Sequence, residues 1–312
     1  MQPKPIGLRR RRALQALAGW GAWMAVGKPS FADAAAFTVA KRPIPRTGEL
    51  LPVAGLGTYQ SFDVGNGAGE RESRKEVLRL FVQHGGALVD SSPMYGSSES
   101  VVGDLAAGLG ITGQLFMATK VWTTGREAGV RQMEESMRRM KVARMDLMQI
   151  HNLQDWATHL KTLQGWKAAG RIRYIGITHY HSGAYGDMER LMKSREFDFV
   201  QFNYSMAERE AEGRILPLAQ ETGTAVIINR PFAQASLFSR VRGKEVPAWA
   251  AEFDCKSWGQ FFLKYILGHP AVTCVIPATS KPHHLVDNMG AGVGKLPDEA
   301  TRRKMVQYVD RL

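Results

Sequence analysis

A (β/α)8 TIM barrel preceded by an N-terminal β-hairpin is the fold this sequence predicts, on three observations. Strand-like and helix-like segments alternate without a break through eight units. The glycine fingerprint of the rival architecture, a doubly wound open sheet, is missing. Three successive strands end on an ionisable residue: ALVD at Asp90, FMATK at Lys120 and MDLMQIH at His151. Strand C-termini of such a barrel converge on one face, where barrels place their chemistry.

The elements follow in order. A hairpin is expected over residues 37–53, turning at Thr47, Gly48 and Glu49. Strands are expected at 54–58, 87–90, 115–120, 145–151, 174–178, 197–202, 225–229 and 273–276, with helical patterns between them. From Arg126 the pattern sets Val130, Met133, Met137 and Met140 on one helical face, a core-packing stripe. GLGT at 55–58 has no third glycine and GNGAG at 65–69 has the wrong spacing, so both read as tight loops. The stretch 230–252 is polar and rich in small residues, long enough to fold over a bound cofactor.

Residues 1–34 read as a leader. Arg9 to Arg12 form a basic run, Ala13 to Gly27 are moderately apolar, and Ala32, Asp33 and Ala34 give a small-x-small cleavage pattern. The apolar stretch is shorter than the roughly 20 residues a membrane span needs, so the mature protein is expected to have no stable span. Arg11 and Arg12, followed by Ala13, Leu14 and Gln15, resemble a twin-arginine export signal, although no Phe follows the pair. That signal implies the twin-arginine export machinery as a partner and a periplasmic destination, with cytoplasmic residence if the leader does not function. The remainder, 37–312, is the usual size of one barrel.

Charge excludes some partners. The leader carries a net five positive charges, so its removal takes the chain from +12 to +7. No basic run interleaved with aromatics follows it, and nucleic acid is not an expected partner. His179 and His181, or His283 and His284, lack a companion pattern for a metal, and none is expected. Cys255 near a helix start and Cys274 in an apolar strand are not expected to pair.

The strand-end residues suggest acid-base chemistry. Tyr95, five residues past Asp90, is the expected proton donor, because a neighbouring ammonium stabilises phenolate and lowers a pKa of about 10. Lys120 supplies that charge, Asp90 anchors the lysine, and His151 shares a hydrogen bond at the same substrate oxygen. A Schiff-base role for Lys120 is the competing chemistry, disfavoured by Asp90 as a salt-bridge partner.

The segment GGALVDSSPMYGSSESVVG at 85–103, then Thr119 and Lys120, then QIHN at 149–152, resembles the aldo/keto reductases over roughly residues 40–312. That resemblance implies hydride transfer from a nicotinamide cofactor to an aldehyde or ketone, with Tyr95 as general acid. It implies carboxamide contacts from Thr178, His179 (where Asn is commoner) and Gln201. Asn229 and Arg230 fall where an aromatic usually stacks on the nicotinamide; either Phe232 substitutes for it from the loop, or Arg230 lies against the ring or reaches the pyrophosphate. Thr279 and Asn288 match the adenine and 2′-phosphate segment. There His284 replaces a frequent arginine, Ala278 a frequent lysine, and Lys281 lies nearby. NADP is the implied cofactor, NADPH favoured over NADH. Tyr59, Trp122, Trp156 and Phe232 suggest an apolar, partly aromatic mouth for a small-molecule carbonyl substrate. A cofactor-binding sensor barrel with little turnover is the alternative.

Overall fold

The computed structural model describes residues 37–312; the expected leader lies outside the described residues. The hairpin forms from β1 (Lys41–Pro43) and β2 (Leu50–Pro52), paired antiparallel with Arg42 opposite Leu51. Its turn closes through the Ile44 amide donating to the Glu49 carbonyl at 2.8 Å, and Gly48 takes a φ of +74° that favours glycine.

The barrel strands are β3 (Leu56–Gly57), β4 (Leu88–Asp90), β5 (Phe116–Val121), β6 (Met145–His151), β7 (Ile172–Thr178), β8 (Phe199–Asn203), β9 (Ala225–Asn229) and β10 (Cys274–Val275). They are parallel and lie in chain order. Bridges from Ala54 to Val275 and from Gly57 to Ala278 close the sheet on itself. Gly55 and Gly57 form this seam within the strand expected at 54–58, not a tight loop. A Cβ on Gly57 would meet the Ile276 carbonyl oxygen at 2.7 Å, so backbone alone fits there.

Around the strands run α1 (Ala68–Gln83), α2 (Ser98–Leu109), α3 (Arg126–Arg139), α4 (Trp156–Ala168), α5 (Tyr185–Lys193), α6 (Ile215–Thr222), α7 (Ser236–Arg240), α8 (Trp258–Leu267), α9 (Pro282–Gly290) and α10 (Glu299–Asp310). The methionine stripe of α3 packs inward, with Met133, Met137 and Met140 buried. The segment 230–252 is more ordered than its composition suggests, because α7 forms within it and Phe238 packs between Phe232 and Phe262.

Two apolar clusters hold the fold. One lies between strands and helices; the other fills the barrel interior with Leu88, Phe116, Leu147, Tyr174, Phe199 and Ile227. Ile44 and Leu51 of the hairpin belong to the interior cluster, so the hairpin stoppers the barrel's N-terminal mouth. Glu49 fastens it by accepting from the Tyr174 hydroxyl at 2.5 Å and pairing with Arg173. Cys255 and Cys274 are buried and unpaired. Among the described residues no helix is long and apolar enough to cross a membrane.

Candidate active site

Strand alternation builds the site. Side chains two apart share a face, so the strands that point Leu88, Ala118, Leu147 and Phe199 inward also point Asp90, Lys120, Gln149 and Gln201 inward, one step nearer the C-terminal end. These four are buried and sit over the apolar interior as a polar layer. His151 and Thr178 are register partners at the same end.

Burying an ammonium is costly unless it is paired and hydrogen-bonded. Lys120 Nζ donates to Asp90 Oδ2 at 2.6 Å and to the Ser91 carbonyl at 2.7 Å. The second carboxylate oxygen, Asp90 Oδ1, accepts from Gln149 Nε2 and Gln201 Nε2, each at 2.9 Å. The charge pair is thus enclosed by donors and acceptors of fixed orientation. Burial pushes the ammonium toward deprotonation, but Asp90 and Tyr95 outweigh it and hold Lys120 above the ordinary lysine value.

Tyr95 is half-buried at the mouth, with Lys120 Nζ 4.9 Å from its ring centroid. The hydrogen bonds of normal geometry that Nζ makes go to Asp90 and Ser91; toward the phenol it exerts its charge and a weaker contact. The expected lowering of the phenol's pKa is not the net result. Burial raises it, the Lys120 charge opposes, and the Asp90 carboxylate cancels part of that opposition. In this state Tyr95 is a protonated donor at neutral pH.

His151 is pushed down to about 3, first by burial and then by the Lys120 charge and His179, so its ring is neutral. Its Nδ1 lies 3.2 Å from Ser92 Oγ, while Nε2 has no hydrogen-bond partner among the described residues. The rings of Tyr95 and His151 meet edge-on at 6.1 Å. Tyr59 packs 5.0 Å from Tyr95 and Trp122 lies 6.4 Å from His151, and both are exposed. Trp156 and Phe232, also expected at the mouth, are partly buried and pack against the outer core.

A second set of polar groups adjoins the layer. Thr178 Oγ1 donates to Gln201 Oε1 at 3.0 Å, and Asn229 Nδ2 donates to the His179 carbonyl at 2.9 Å and to Gln201 Oε1 at 3.3 Å. Asn229 Oδ1 is buried without a partner. The His179 ring stacks on Tyr180 at 5.3 Å. Arg230 donates to the Tyr180 carbonyl at 2.9 Å and pairs with Glu208 at 3.3 Å, tying three loops together. After β10, Thr279 Oγ1 accepts from the Lys281 amide at 3.1 Å; Asn288 is buried, while Lys281 and His284 are exposed at the start of α9. Among the described residues no His, Cys, Asp and Glu cluster is arranged to hold a metal.

Gln149 and Ser92 were missed as site residues by sequence reasoning. Gln149 was legible, lying two positions before His151 and therefore on the same strand face. Ser92 carried no such signal, since its partner is remote in sequence.

A closed barrel whose C-terminal face gathers a buried lysine-aspartate pair, a protonated tyrosine and a neutral histidine defines an enzyme of proton transfer to oxygen. A family model described as the aldo/keto reductase family matches residues 54–304, and the chain belongs to that family. Its reaction class is NAD(P)H-dependent carbonyl reduction. Curated relatives include the methylglyoxal reductase YeaE of Escherichia coli, 27% identical over 243 residues, covering 75% of this chain and 83% of the relative. An NADH-specific methylglyoxal reductase of Escherichia coli is 26% identical, covering 67% of this chain and 72% of the relative. An aldo/keto reductase from Klebsiella pneumoniae, solved with NADP and acetate, superposes with a TM-score of 0.70 at 25% identity, covering 88% of this chain and 95% of that one.

Proposed function

We propose that the protein is an NADPH-dependent reductase of aldehydes or ketones in which Tyr95 protonates the carbonyl oxygen. The observation that carries this is the Lys120 ammonium, fixed by Asp90 at 2.6 Å and lying 4.9 Å from the Tyr95 ring centroid. As negative charge develops on the substrate oxygen, Tyr95 gives up its proton, and the adjacent ammonium stabilises the phenolate that forms. Asp90, held by two amides, keeps that ammonium in place. His151, neutral, donates a hydrogen bond to the same oxygen and sets its orientation. The cofactor, when bound, supplies the hydride.

The chain's donor set suits a nicotinamide dinucleotide. Asn229 Oδ1 is a buried acceptor in need of a donor such as a carboxamide NH2. Thr178, His179 and Gln201 flank it, and Arg230 braces the loops above. Thr279 and the exposed Lys281 and His284 lie at the N-terminal end of α9, where phosphate is favoured, with Asn288 buried farther along the same helix. Lys281 supports NADPH over NADH, as do neighbours solved with NADP and NADPH; one relative is NADH-specific.

We further propose that residues 1–34 are a twin-arginine-type leader, that 37–312 is the mature barrel, and that it acts in the periplasm. The basic run, apolar stretch and small-x-small site support this. Fractionation checks it: the mature chain is expected in the periplasm, and full-length chain confined to cytoplasm would contradict it. The activity is tested by following NADPH consumption by residues 37–312 with a panel of aldehydes and ketones. Consumption that depends on the carbonyl is expected; tight NADPH binding without turnover would contradict the reading and indicate a sensor.

A further inference from the structure

Ser92 is fully buried beside His151, and its hydroxyl has one hydrogen and two lone pairs to place. Oγ accepts from the Met94 amide at 3.3 Å and lies 3.2 Å from His151 Nδ1. If Nδ1 carried the ring's hydrogen, Oγ would accept twice and its own hydrogen would be left buried without an acceptor, a costly state. If Oγ donates to Nδ1, every group is satisfied. The neutral ring then carries its hydrogen on Nε2, the nitrogen left free of partners among the described residues. The same residue shapes the turn that delivers Tyr95, whose amide donates to the Ser92 carbonyl at 3.0 Å.

We propose that Ser92 is a positioning residue that locks His151 in the Nε2–H tautomer, so that the ring presents a hydrogen-bond donor beside the Tyr95 hydroxyl. This rests on the reading of His151 as the group that orients the carbonyl. Ser92 touches neither substrate nor cofactor on this account; it acts through the imidazole. Replacing it leaves Nδ1 without its donor and frees the ring to exchange tautomers or turn over, which costs turnover without touching the cofactor contacts.

Nitrogen-15 NMR of histidine-labelled protein, with the His151 signals assigned by their loss in His151→Gln, reads the tautomer directly. The intact protein is expected to show Nε2–H. In Ser92→Ala a fraction of Nδ1–H is expected, with kcat lowered about tenfold and the Kd for NADPH unchanged. Ser92→Thr, which keeps the hydroxyl, is expected to restore both tautomer and kcat. An Nδ1–H ring in the intact protein, or an unaltered tautomer in Ser92→Ala, would overturn the proposal. Undiminished turnover in His151→Gln would instead overturn the reading of His151 itself, so the two failures are distinguishable.

Discussion

His151 shows how burial sets the chemistry of a single side chain. Its folded pKa of about 3 lies well below the ordinary 6.5, chiefly through burial and then through the Lys120 charge. Between those values the unfolded chain binds the additional proton, so the stability tied to a neutral ring is complete above about pH 6.5 and is lost as pH falls, by up to about 1.4 kcal/mol per unit. His151→Gln is therefore expected to flatten the loss of stability between about pH 6.5 and about pH 4. Unfolding midpoints measured across that range check it, and an unchanged slope would contradict it. At this scale the sequence was informative about identity more than environment. Asp90, Lys120 and His151 converge at strand C-termini, and the turn after β4 brings Tyr95 to them. The net direction of the Tyr95 pKa was not legible, since it depends on how burial and two opposed charges balance in three dimensions.

Elements were legible where apolar runs were continuous. The strands at 145–151 and 225–229 fall where expected, each having a strand neighbour on both sides. The last strand shrinks to Cys274–Val275, because only a short stretch finds partners on either side of the seam. What the hairpin is for was not legible: nothing local in Ile44 or Leu51 says that they fill the barrel mouth. Because Ile44 is wholly buried there, Ile44→Ala is expected to cost about 2–5 kcal/mol, as core truncations do. Leu50→Ala, on the same hairpin but 59% exposed, is expected to change stability by no more than about 0.5 kcal/mol. Denaturant unfolding of the two variants measures the difference; equal effects would contradict the stopper role.

For the whole molecule, the proposed export sets a requirement. A barrel that leaves the cytoplasm folded must keep its dinucleotide bound, and a ligand at a hundred times its Kd stabilises the folded state by about 2.7 kcal/mol. NADPH is expected to raise the melting temperature of residues 37–312 more than NADH at equal concentration, and Lys281→Ala to narrow the gap. Thermal melts with each cofactor decide it, an equal or larger shift with NADH being the contrary result. The arrangement of strands and helices was legible because each unit repeats the same period. Cofactor preference was not, because Ala278 and His284 stand where the resemblance implies lysine and arginine, and the effect of Lys281 nearby depends on placement.

The central claim is that Tyr95 delivers the proton with Lys120 at its side. The most direct measurement is the Kd for NADPH and the single-turnover rate of carbonyl reduction, taken together on Tyr95→Phe and the unmodified protein. The account predicts an unchanged Kd and a rate lowered by about 100-fold or more. A rate within a few-fold of the unmodified protein, with cofactor bound equally well, would contradict it.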